Sequence, residues 1–336
     1  MSAAFPQRTR GRPSAASNVC YAHQIKEFCD RILEIRSRLD FEVGTRGWCY
    51  ILEGEHVILK GEFDDAERLI ARCRKDGNLP IDICAEDNKR AADGVEKLDS
   101  SDLEAEANAI IEYVREAHQY YTPISFWDDL DVYVEMAVEK SDLKSLFSRV
   151  SQQFHMVIQN IGGWADLNVR ASMMRRFQKW EAKGKRCVLL YCGDHDPGGL
   201  QISDFLHANL AELERAVGWS PRNLVIDRFG LDYDFITANG LTWIDNLETS
   251  SGKSLADSRH PDHLKPYVQS YLKRFGARKV EANALVARPE SGRELCHQSI
   301  LRYVPEDALM RYRARLNRIR RELRDAVARR LARGER

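Results

Sequence analysis

The sequence predicts an α/β protein in which a small helical unit precedes a sheet of about four parallel strands and a helical extension follows it. From Asp131 onward, strand-like segments alternate with segments of helical spacing, which is typical of parallel strands connected by helices. Runs such as 187–192 are apolar throughout, as expected for strands covered on both faces. Ahead of this region, short helices predominate.

The N-terminal region predicts a small helical unit. Apolar residues at helical spacing indicate a helix over 21–38, a short helix follows over about 45–53, and a third helix includes Phe63. Residues 77–80 (GNLP) end the third helix, and 81–84 is predicted to be a short extended stretch. Three helices followed by a hairpin-like extension are typical of a winged helix-turn-helix.

The α/β region predicts a regular alternation of elements. They are a strand at 131–138, a helix at 141–153, a strand at 155–159, a helix at 165–183, a strand at 186–192, a helix at 198–216 and a strand at 223–228. The predicted organisation therefore has five parts. They are a disordered basic tail (1–20), a winged-helix DNA-binding domain (21–98), a helical connector (99–129), the α/β domain with its extension (130–305) and a basic C-terminal helix (306–336).

Charge is balanced overall but segregated along the chain. The 336 residues carry 51 basic and 51 acidic side chains, so net charge alone does not identify a nucleic-acid binder. The basic residues collect at the ends, however. The first eighteen residues contain Arg8, Arg10 and Arg12 and no acid, and the stretch 311–336 has eleven Arg against three acidic residues.

The cysteines and the hydropathy predict where in the cell the protein is found. The eight cysteines form no C-x-x-C pair, so we expect reduced thiols and a cytoplasmic protein. No apolar stretch approaches the ~18–20 residues of a transmembrane helix. The N-terminus also lacks the apolar core of a secretory signal. We therefore expect no membrane association.

Acidic residues follow two of the predicted strands. Glu139 comes directly after the strand 131–138, and Asp194 and Asp196 follow the strand 186–192. The carboxyl ends of parallel strands share the edge where ligands bind, so we expect these carboxylates to converge. A Glu and an Asp-x-Asp supply three hard oxygen donors for Mg²⁺, and the Pro-Gly-Gly that follows opens a helix able to hold a phosphate. The alternative is a polar turn in which one Asp caps the next helix.

Two motifs carry a resemblance to a known family. Residues 138–142 (VEKSD) and 193–199 (GDHDPGG) resemble the signature motifs of the TOPRIM domain, which topoisomerases, bacterial-type primases and some nucleases share. The order also matches, with the Glu after the first strand and the Asp-x-Asp after the third. The resemblance covers about 130–230. It implies that the Glu and the first Asp are central to metal-assisted chemistry, and that Asp196 adds metal binding.

The N-terminal half of the chain narrows the resemblance to one group of TOPRIM proteins. A winged helix ahead of a TOPRIM domain is similar to the order in the A subunit of topoisomerase VI and its meiotic double-strand-break relatives. In that family the nucleophilic Tyr follows an Arg on one helix, often as the second of two adjacent Tyr. Here Tyr50 stands in that place with Arg46 four residues before it, and Cys49 replaces the first Tyr. The resemblance implies double-stranded DNA as partner, a homodimer in which the Tyr of one subunit meets the metal site of the other, and a separate ATPase subunit.

A tyrosine in this position suits phosphodiester transfer. Attack on phosphorus would form a 5′-phosphotyrosyl bond that conserves the energy of the phosphodiester. The unperturbed phenol has a pKa of ~10, so it needs a cationic neighbour or a metal-bound base at neutral pH. Arg46, one helical turn before Tyr50, is the predicted cation. The alternative is a structural Tyr50 packed with Trp48.

Later segments also resemble the family. Residues 253–259 (KSLADSR) and 279–285 (KVEANAL) are similar to its C-terminal stretches, which makes Glu281 a further candidate, either as an outer metal ligand or as a residue that orients Arg259. The basic helix predicted over 306–333 has two interpretations. It binds phosphates, or it is a solvated face or dimer flank.

Other motifs are less informative. Residues 251–254 (SGKS) share Gly-Lys-Ser with a P-loop, but Leu247 stands where that motif has its first glycine. His260 and His263 lie in a polar loop that does not favour zinc. His195, between the two Asp, is predicted to point away from them, with a role as proton carrier as the alternative.

The sequence therefore predicts a Mg²⁺-dependent DNA transesterase of the topoisomerase VI A-subunit type, with Tyr50 and Arg46 at the nucleophile and Glu139, Asp194 and Asp196 at the metal. It would be cytoplasmic and nucleoid-associated. One alternative is a TOPRIM nuclease in which water attacks the phosphodiester. The other is a DNA-binding protein without catalysis.

Overall fold

A four-stranded parallel sheet forms the centre of the protein. The computed structural model describes residues 5–8, 14–85, 96, 98, 102–162, 167–249 and 253–332. The strands are β1 (Val132–Val138), β2 (Val157–Asn160), β3 (Arg186–Cys192) and β4 (Val225–Arg228), in the order β2-β1-β3-β4. Every residue of β1 is buried, as is every residue of β3 after the first. The predicted α/β class with a parallel sheet is confirmed.

The register of the two central strands sets the geometry of the sheet edge. β1 and β3 pair along their whole length, from Val132 opposite Arg186 to Val138 opposite Cys192. Beyond the last pair, the backbone N–H of Glu139 donates to the carbonyl of Cys192 at 3.0 Å. The two strands therefore end level, and the residues that follow them emerge side by side.

Helices connect the strands and cover the sheet. α5 (Ser141–Gln153) joins β1 to β2, and α6 (Leu167–Glu181) leads to β3. Between β3 and β4, the single helix predicted over 198–216 is instead three short ones, which are α7 (Pro197–Leu200), α8 (Ile202–Ala211) and α9 (Glu214–Val217). The Pro-Gly-Gly at the start of this segment has low helix propensity, which is consistent with an early break.

Three helices form the N-terminal region. They are α1 (Ala15–Arg38), α2 (Thr45–Gly54) and α3 (Phe63–Lys75), with a 3-10 turn at Lys60–Glu62 ahead of α3. Helix α1 begins earlier than predicted because Ser14 and Ser17 form a reciprocal capping box. The predicted disordered tail (1–20) is therefore wrong for its last residues, while Arg10 and Arg12 lie outside the described residues.

The predicted extended stretch at 81–84 is also wrong in its local structure. Residues Ile81–Ile83 form a 3-10 turn. Its carbonyl groups accept hydrogen bonds from side chains rather than from a partner strand. Arg74 Nε donates to the carbonyl of Ile81 at 2.9 Å, and Trp48 Nε1 donates to that of Ile83 at 2.9 Å. No strand occurs in the part of the N-terminal region that the structure describes, and most of 86–101 falls outside it.

Beside the main hydrophobic core, Tyr271 and Phe275 belong to a second, smaller cluster, and five further helices complete the described structure. They are α4 (Leu103–Glu116), α10 (Tyr233–Ala238), α11 (Pro266–Phe275), α12 (Pro289–Leu301) and α13 (Ala308–Ala332), with 3-10 segments at Ala117–Gln119, Pro221–Asn223 and Ala282–Ala287. The core extends from Phe28 in α1 to Leu316 in α13. Helix α2 packs against Ala282–Ala287, so the N-terminal helices lie directly on the α/β region. Among the described helices, none is both long enough and apolar enough to span a membrane.

Candidate active site

Glu139 and Asp194 meet at the edge of the sheet. Glu139 Oε2 accepts a hydrogen bond from the backbone N–H of Asp194 at 3.0 Å and lies 3.3 Å from the hydroxyl of Tyr191. The ammonium of Lys140 contacts both carboxylates, at 2.9 Å from Glu139 Oε1 and 3.4 Å from Asp194 Oδ2. The level ends of β1 and β3 thus bring together two of the three predicted metal ligands, with a lysine between them.

The charges in this pair are strongly perturbed. Burial, followed by the neighbouring charge of Glu139, raises the pKa of Asp194 to about 7. Burial would also raise the pKa of Glu139, but Lys140 and the hydrogen bond from Asp194 N–H lower it. Burial alone would lower the pKa of Lys140, but the charges of Asp194 and Glu139 raise it. Near pH 7, therefore, Glu139 is ionised and paired with Lys140, while Asp194 is close to the midpoint of its titration.

Asp196, the third predicted metal ligand, caps a helix. Its Oδ1 accepts from the N–H of Gly199 at 2.6 Å, so it caps α7 in the way the alternative interpretation of the turn predicts. Asp196 and Glu139 also line one cavity of about 230 Å³, whose walls include Phe205 on α8. Among the described residues, no three His, Cys, Asp or Glu side chains are grouped closely enough to hold a metal ion together.

His195 belongs to a separate aromatic cluster. Its Nδ1 lies 3.1 Å from the hydroxyl of Tyr271, and its ring packs edge-on against Trp243 and Phe275. Burial lowers the pKa of His195 to about 4, which keeps the ring neutral near pH 7. The ring is thus packed among aromatic side chains, and its predicted orientation away from the two Asp stays a prediction.

Tyr50 lies near the carboxylate pair of its own chain. Its side chain is only 2% exposed, and its hydroxyl donates a hydrogen bond to Oε2 of Glu281. Burial, and then the charge of Glu281, raise the pKa of the Tyr50 phenol well above its usual range. The phenol is therefore protonated in the free protein, and Glu281 is positioned to accept its proton.

Glu281 joins the tyrosine to the carboxylate pair. The next residue, Ala282, donates its backbone N–H to Oδ1 of Asp194 at 2.8 Å. Burial opposes ionisation of Glu281, but the hydrogen bond from Tyr50 and nearby cations, including Lys279, lower its pKa. The predicted link to Arg259 is wrong, because the guanidinium of Arg259 pairs with Asp257 at 2.7 Å on an exposed loop.

Two cations lie near Tyr50. Burial and Glu281 raise the pKa of the phenol, and the charge of Arg46, the predicted cation, acts in the opposite direction. Arg46 Nη1 also bonds to Glu67 at 3.0 Å and to Asp64 at 3.4 Å, both on α3. The ammonium of Lys60 lies over the ring of Tyr50, 3.9 Å from its centroid. No local pattern marked Lys60, because it lies outside the helix that carries the tyrosine.

Asp142 docks the tyrosine helix onto the α/β region. Its Oδ1 accepts from the N–H of Gly44, the N-cap of α2, at 2.8 Å. A carboxylate at a helix N-terminus is favoured by the helix dipole. A Cβ at Gly47 would lie 2.6 Å from Asp142 Oδ2, so this approach requires glycine. The sequence placed Asp142 in the first motif but gave no indication of this docking role.

The C-terminal helix makes ion pairs within the chain. Arg315 bonds both carboxylate oxygens of Asp129 at 2.6 Å, and Arg320 bonds the carbonyl of Tyr121 at 3.0 Å. Arg324 pairs with Asp325 on the helix itself. Some of the arginines therefore fasten α13 to the connector rather than standing free for phosphate.

Comparison with known proteins adds no assignment, since no family model, curated protein or solved structure matches this chain significantly.

Proposed function

We propose that this protein is a Mg²⁺-dependent DNA transesterase with Tyr50 as its nucleophile, resembling the A subunit of topoisomerase VI. One observation carries the proposal. The hydroxyl of Tyr50 donates to Glu281, and the adjoining Ala282 N–H donates to Asp194 of the carboxylate pair. A nucleophile, a proton acceptor and an acidic cluster are thus in contact through two consecutive residues.

The acidic cluster suits a divalent cation in its chemistry. Glu139, Asp194 and Asp196 provide only hard oxygen donors, which Mg²⁺ prefers. The raised pKa of Asp194 reflects repulsion from Glu139 as well as burial, and a divalent cation would relieve that repulsion. Glu139 and Asp194, which lie side by side, would hold the ion together with water, and Asp196 lines the cavity beside them. A bound Mg²⁺ would neutralise charge on the phosphodiester.

The protein's own groups then move one proton. Tyr50 gives its phenolic proton to the Glu281 carboxylate as its oxygen bonds to phosphorus. The bond from phosphorus to the 3′ oxygen breaks, and that oxygen leaves as a hydroxyl by taking a proton from water. Since burial and Glu281 raise the pKa of Tyr50, proton transfer has to accompany attack rather than precede it.

We further propose a TOPRIM arrangement preceded by a winged helix. The parallel sheet with the Glu after β1 and the Asp-x-Asp after the adjacent β3 supports the first part. The three helices ahead of it support the second. A separate ATPase subunit follows from the resemblance, because strand passage requires a source of energy.

A homodimer also belongs to the proposal. Cleavage of both strands of a duplex requires two nucleophiles, and a two-fold dimer supplies them. Helix α4 offers apolar area for such an interface, since none of its residues is buried and Ile110, Ile111 and Tyr113 are at least half exposed.

A water-activating nuclease is the second candidate. Its supporting observation is that Tyr50 is almost fully buried and hydrogen-bonded, which also suits a structural residue packed edge-on against Phe63. In this case Tyr50 would be dispensable and the carboxylates would not. A role limited to DNA binding would leave both dispensable.

Trapping a covalent adduct tests the proposal. Denaturing a reaction of duplex DNA with Mg²⁺ should leave the protein on a DNA 5′ end, and Tyr50→Phe should abolish this adduct. Tyr121→Phe, at an exposed position outside α4, is the matched control and should retain it. Glu281→Gln should bind DNA yet form the adduct about 10²–10⁴-fold more slowly, as expected for loss of a general base.

The alternatives give different results in the same assay. If Tyr50→Phe cleaves as well as the parent, water is the nucleophile. If the parent binds DNA but produces neither adduct nor cleavage in the presence of Mg²⁺, the binding-only function replaces the enzyme.

A further inference from the structure

Lys60 occupies an unusual position beside the tyrosine. Its ammonium lies 3.9 Å from the ring centroid of Tyr50 and 4.1 Å from that of Phe63, whose rings meet edge-on with centroids 5.0 Å apart. The amine is shielded from solvent, and it has no hydrogen-bond acceptor among the residues that the structure describes. Its contacts with the two aromatic faces have cation–π geometry.

This arrangement leaves three N–H donors unused. A buried charged donor without an acceptor is costly, since a lost hydrogen bond alone costs about 1–3 kcal/mol and more for a charged group. Burial accordingly lowers the pKa of Lys60 to about 8, although the charges of Glu53 and Glu281 oppose the shift. Polar groups left unsatisfied in a folded protein often mark a position that a ligand completes.

A cavity borders this position. Its volume is about 300 Å³, and its walls include Tyr50, Lys60, Arg288 and the acidic Glu53. Two basic side chains therefore line the cavity beside the tyrosine, together with one carboxylate. An anion entering here would approach Lys60 and the nucleophile together.

We infer that Lys60 is a phosphate-binding residue, whose ammonium takes an oxygen of the DNA backbone next to Tyr50 as its missing acceptor. This inference rests on the proposed function, because it assumes that DNA approaches Tyr50. Lys60 acts by positioning the backbone in front of the nucleophile. It adds a cation over the ring face, while Arg46 bonds to Glu67.

The salt dependence of DNA binding tests the inference without relying on cleavage. Each measurement uses the 336-residue Tyr50→Phe protein, which retains the aromatic ring, and a labelled DNA duplex. Adding Lys60→Gln should reduce the slope of log K against log salt by about 1, the effect of one lost phosphate contact. The matched control is Lys179→Gln, which removes the same charge at an exposed position on α6 and should leave the slope unchanged.

Thermal unfolding separates a phosphate-binding role from a packing role. If the unpaired ammonium serves DNA, Lys60→Met should unfold at the same temperature as the parent or higher when DNA is absent. A lower unfolding temperature together with an unchanged salt slope for Lys60→Gln would show that the cation–π contacts are structural, and would overturn the inference. Failure of the parent to form an adduct would instead refute the proposed reaction, while the slope still reports on Lys60. If the Tyr50→Phe protein binds no DNA, both proposals fail.

Discussion

Asp194 illustrates at the scale of one residue how the candidate site departs from the most stable arrangement. The residue is 6% exposed, and its backbone N–H donates to Glu139. Burial and this neighbour raise its pKa to about 7, against an ordinary value of ~4. A folded state that holds a proton more tightly than the unfolded chain loses stability as pH rises between those two values.

Replacement of this carboxyl should therefore stabilise the metal-free protein at neutral and higher pH. Asp194→Asn keeps an oxygen for the Ala282 N–H and leaves Lys140 paired with Glu139. Without metal, its unfolding temperature should exceed that of the parent above pH 7. The difference should shrink as pH falls from 7 towards 4, because the parent's carboxyl is then protonated in the folded state. Differential scanning fluorimetry across this range measures the effect.

Added Mg²⁺ should reverse the order. The parent should gain thermal stability because the ion binds only the folded site, whereas Asp194→Asn should gain much less. Two outcomes would contradict the assignment of Asp194 as a metal ligand whose charge destabilises the metal-free protein. One is an equal gain of thermal stability with Mg²⁺ in the parent and in Asp194→Asn. The other is a variant that is less stable than the parent throughout the pH range.

At the scale of elements, the docking of α2 decides where the tyrosine stands. Asp142 accepts from Gly44 at the start of the helix, and the other face of α2 packs against Ala282–Ala287, which follows Glu281. The helix is thus fixed at its N-terminus and along its side. A small displacement would separate Tyr50 from Glu281.

A single methyl group should disturb this docking. Alanine normally stabilises a helix relative to glycine, by about 1 kcal/mol. At Gly47, however, the added Cβ would lie 2.6 Å from Asp142 Oδ2 and 2.8 Å from Val43 Cγ1. Gly47→Ala should therefore destabilise the protein by about 1–3 kcal/mol, as overpacking does. Gly61→Ala is the control, because nothing lies within 4 Å of its added Cβ.

Urea denaturation measures both changes, and the adduct assay adds a functional readout. Gly47→Ala should form less adduct at equal DNA occupancy than Gly61→Ala does. A Gly47→Ala protein more stable than the parent would show that α2 is not held by Asp142.

At the scale of the whole molecule, one chain carries every group of the proposed reaction. Tyr50 contacts Glu281 of its own chain, 231 residues away in the sequence. The family resemblance implies that the tyrosine of one subunit meets the metal site of the other. The contact within one chain instead favours cleavage in cis, even in a dimer that supplies two nucleophiles.

Mixing two inactive proteins distinguishes these arrangements. Tyr50→Phe retains the carboxylates, and Asp194→Asn retains the tyrosine. If each chain is self-sufficient, neither the separate proteins nor the mixture should form an adduct, including after dissociation and reassembly of the subunits. Recovery of adduct in the mixture would establish action across subunits. Sedimentation of the mixture, with and without DNA, shows whether dimers are present.

Local sequence determined the parts of the protein that depend on neighbours along the chain. Apolar runs gave β1 and β3, and the shared edge of parallel strands placed Glu139 beside Asp194. Helical spacing located α5 closely, with bounds at Ser141–Gln153. Even there, the extended stretch expected at 81–84 became a 3-10 turn, since distant side chains satisfied its carbonyls.

Tertiary structure alone decided which distant groups meet. No periodicity relates Tyr50 to Glu281, Lys60 to the tyrosine ring, or Asp142 to the start of α2. These contacts arise where packed elements face one another, and their distances depend on the combined volumes and hydrogen bonds of side chains from many segments. A pattern of neighbouring residues indicates whether a segment is a helix or a strand, and at which edge of the sheet a strand ends. The partner that its side chains find is a property of the folded core.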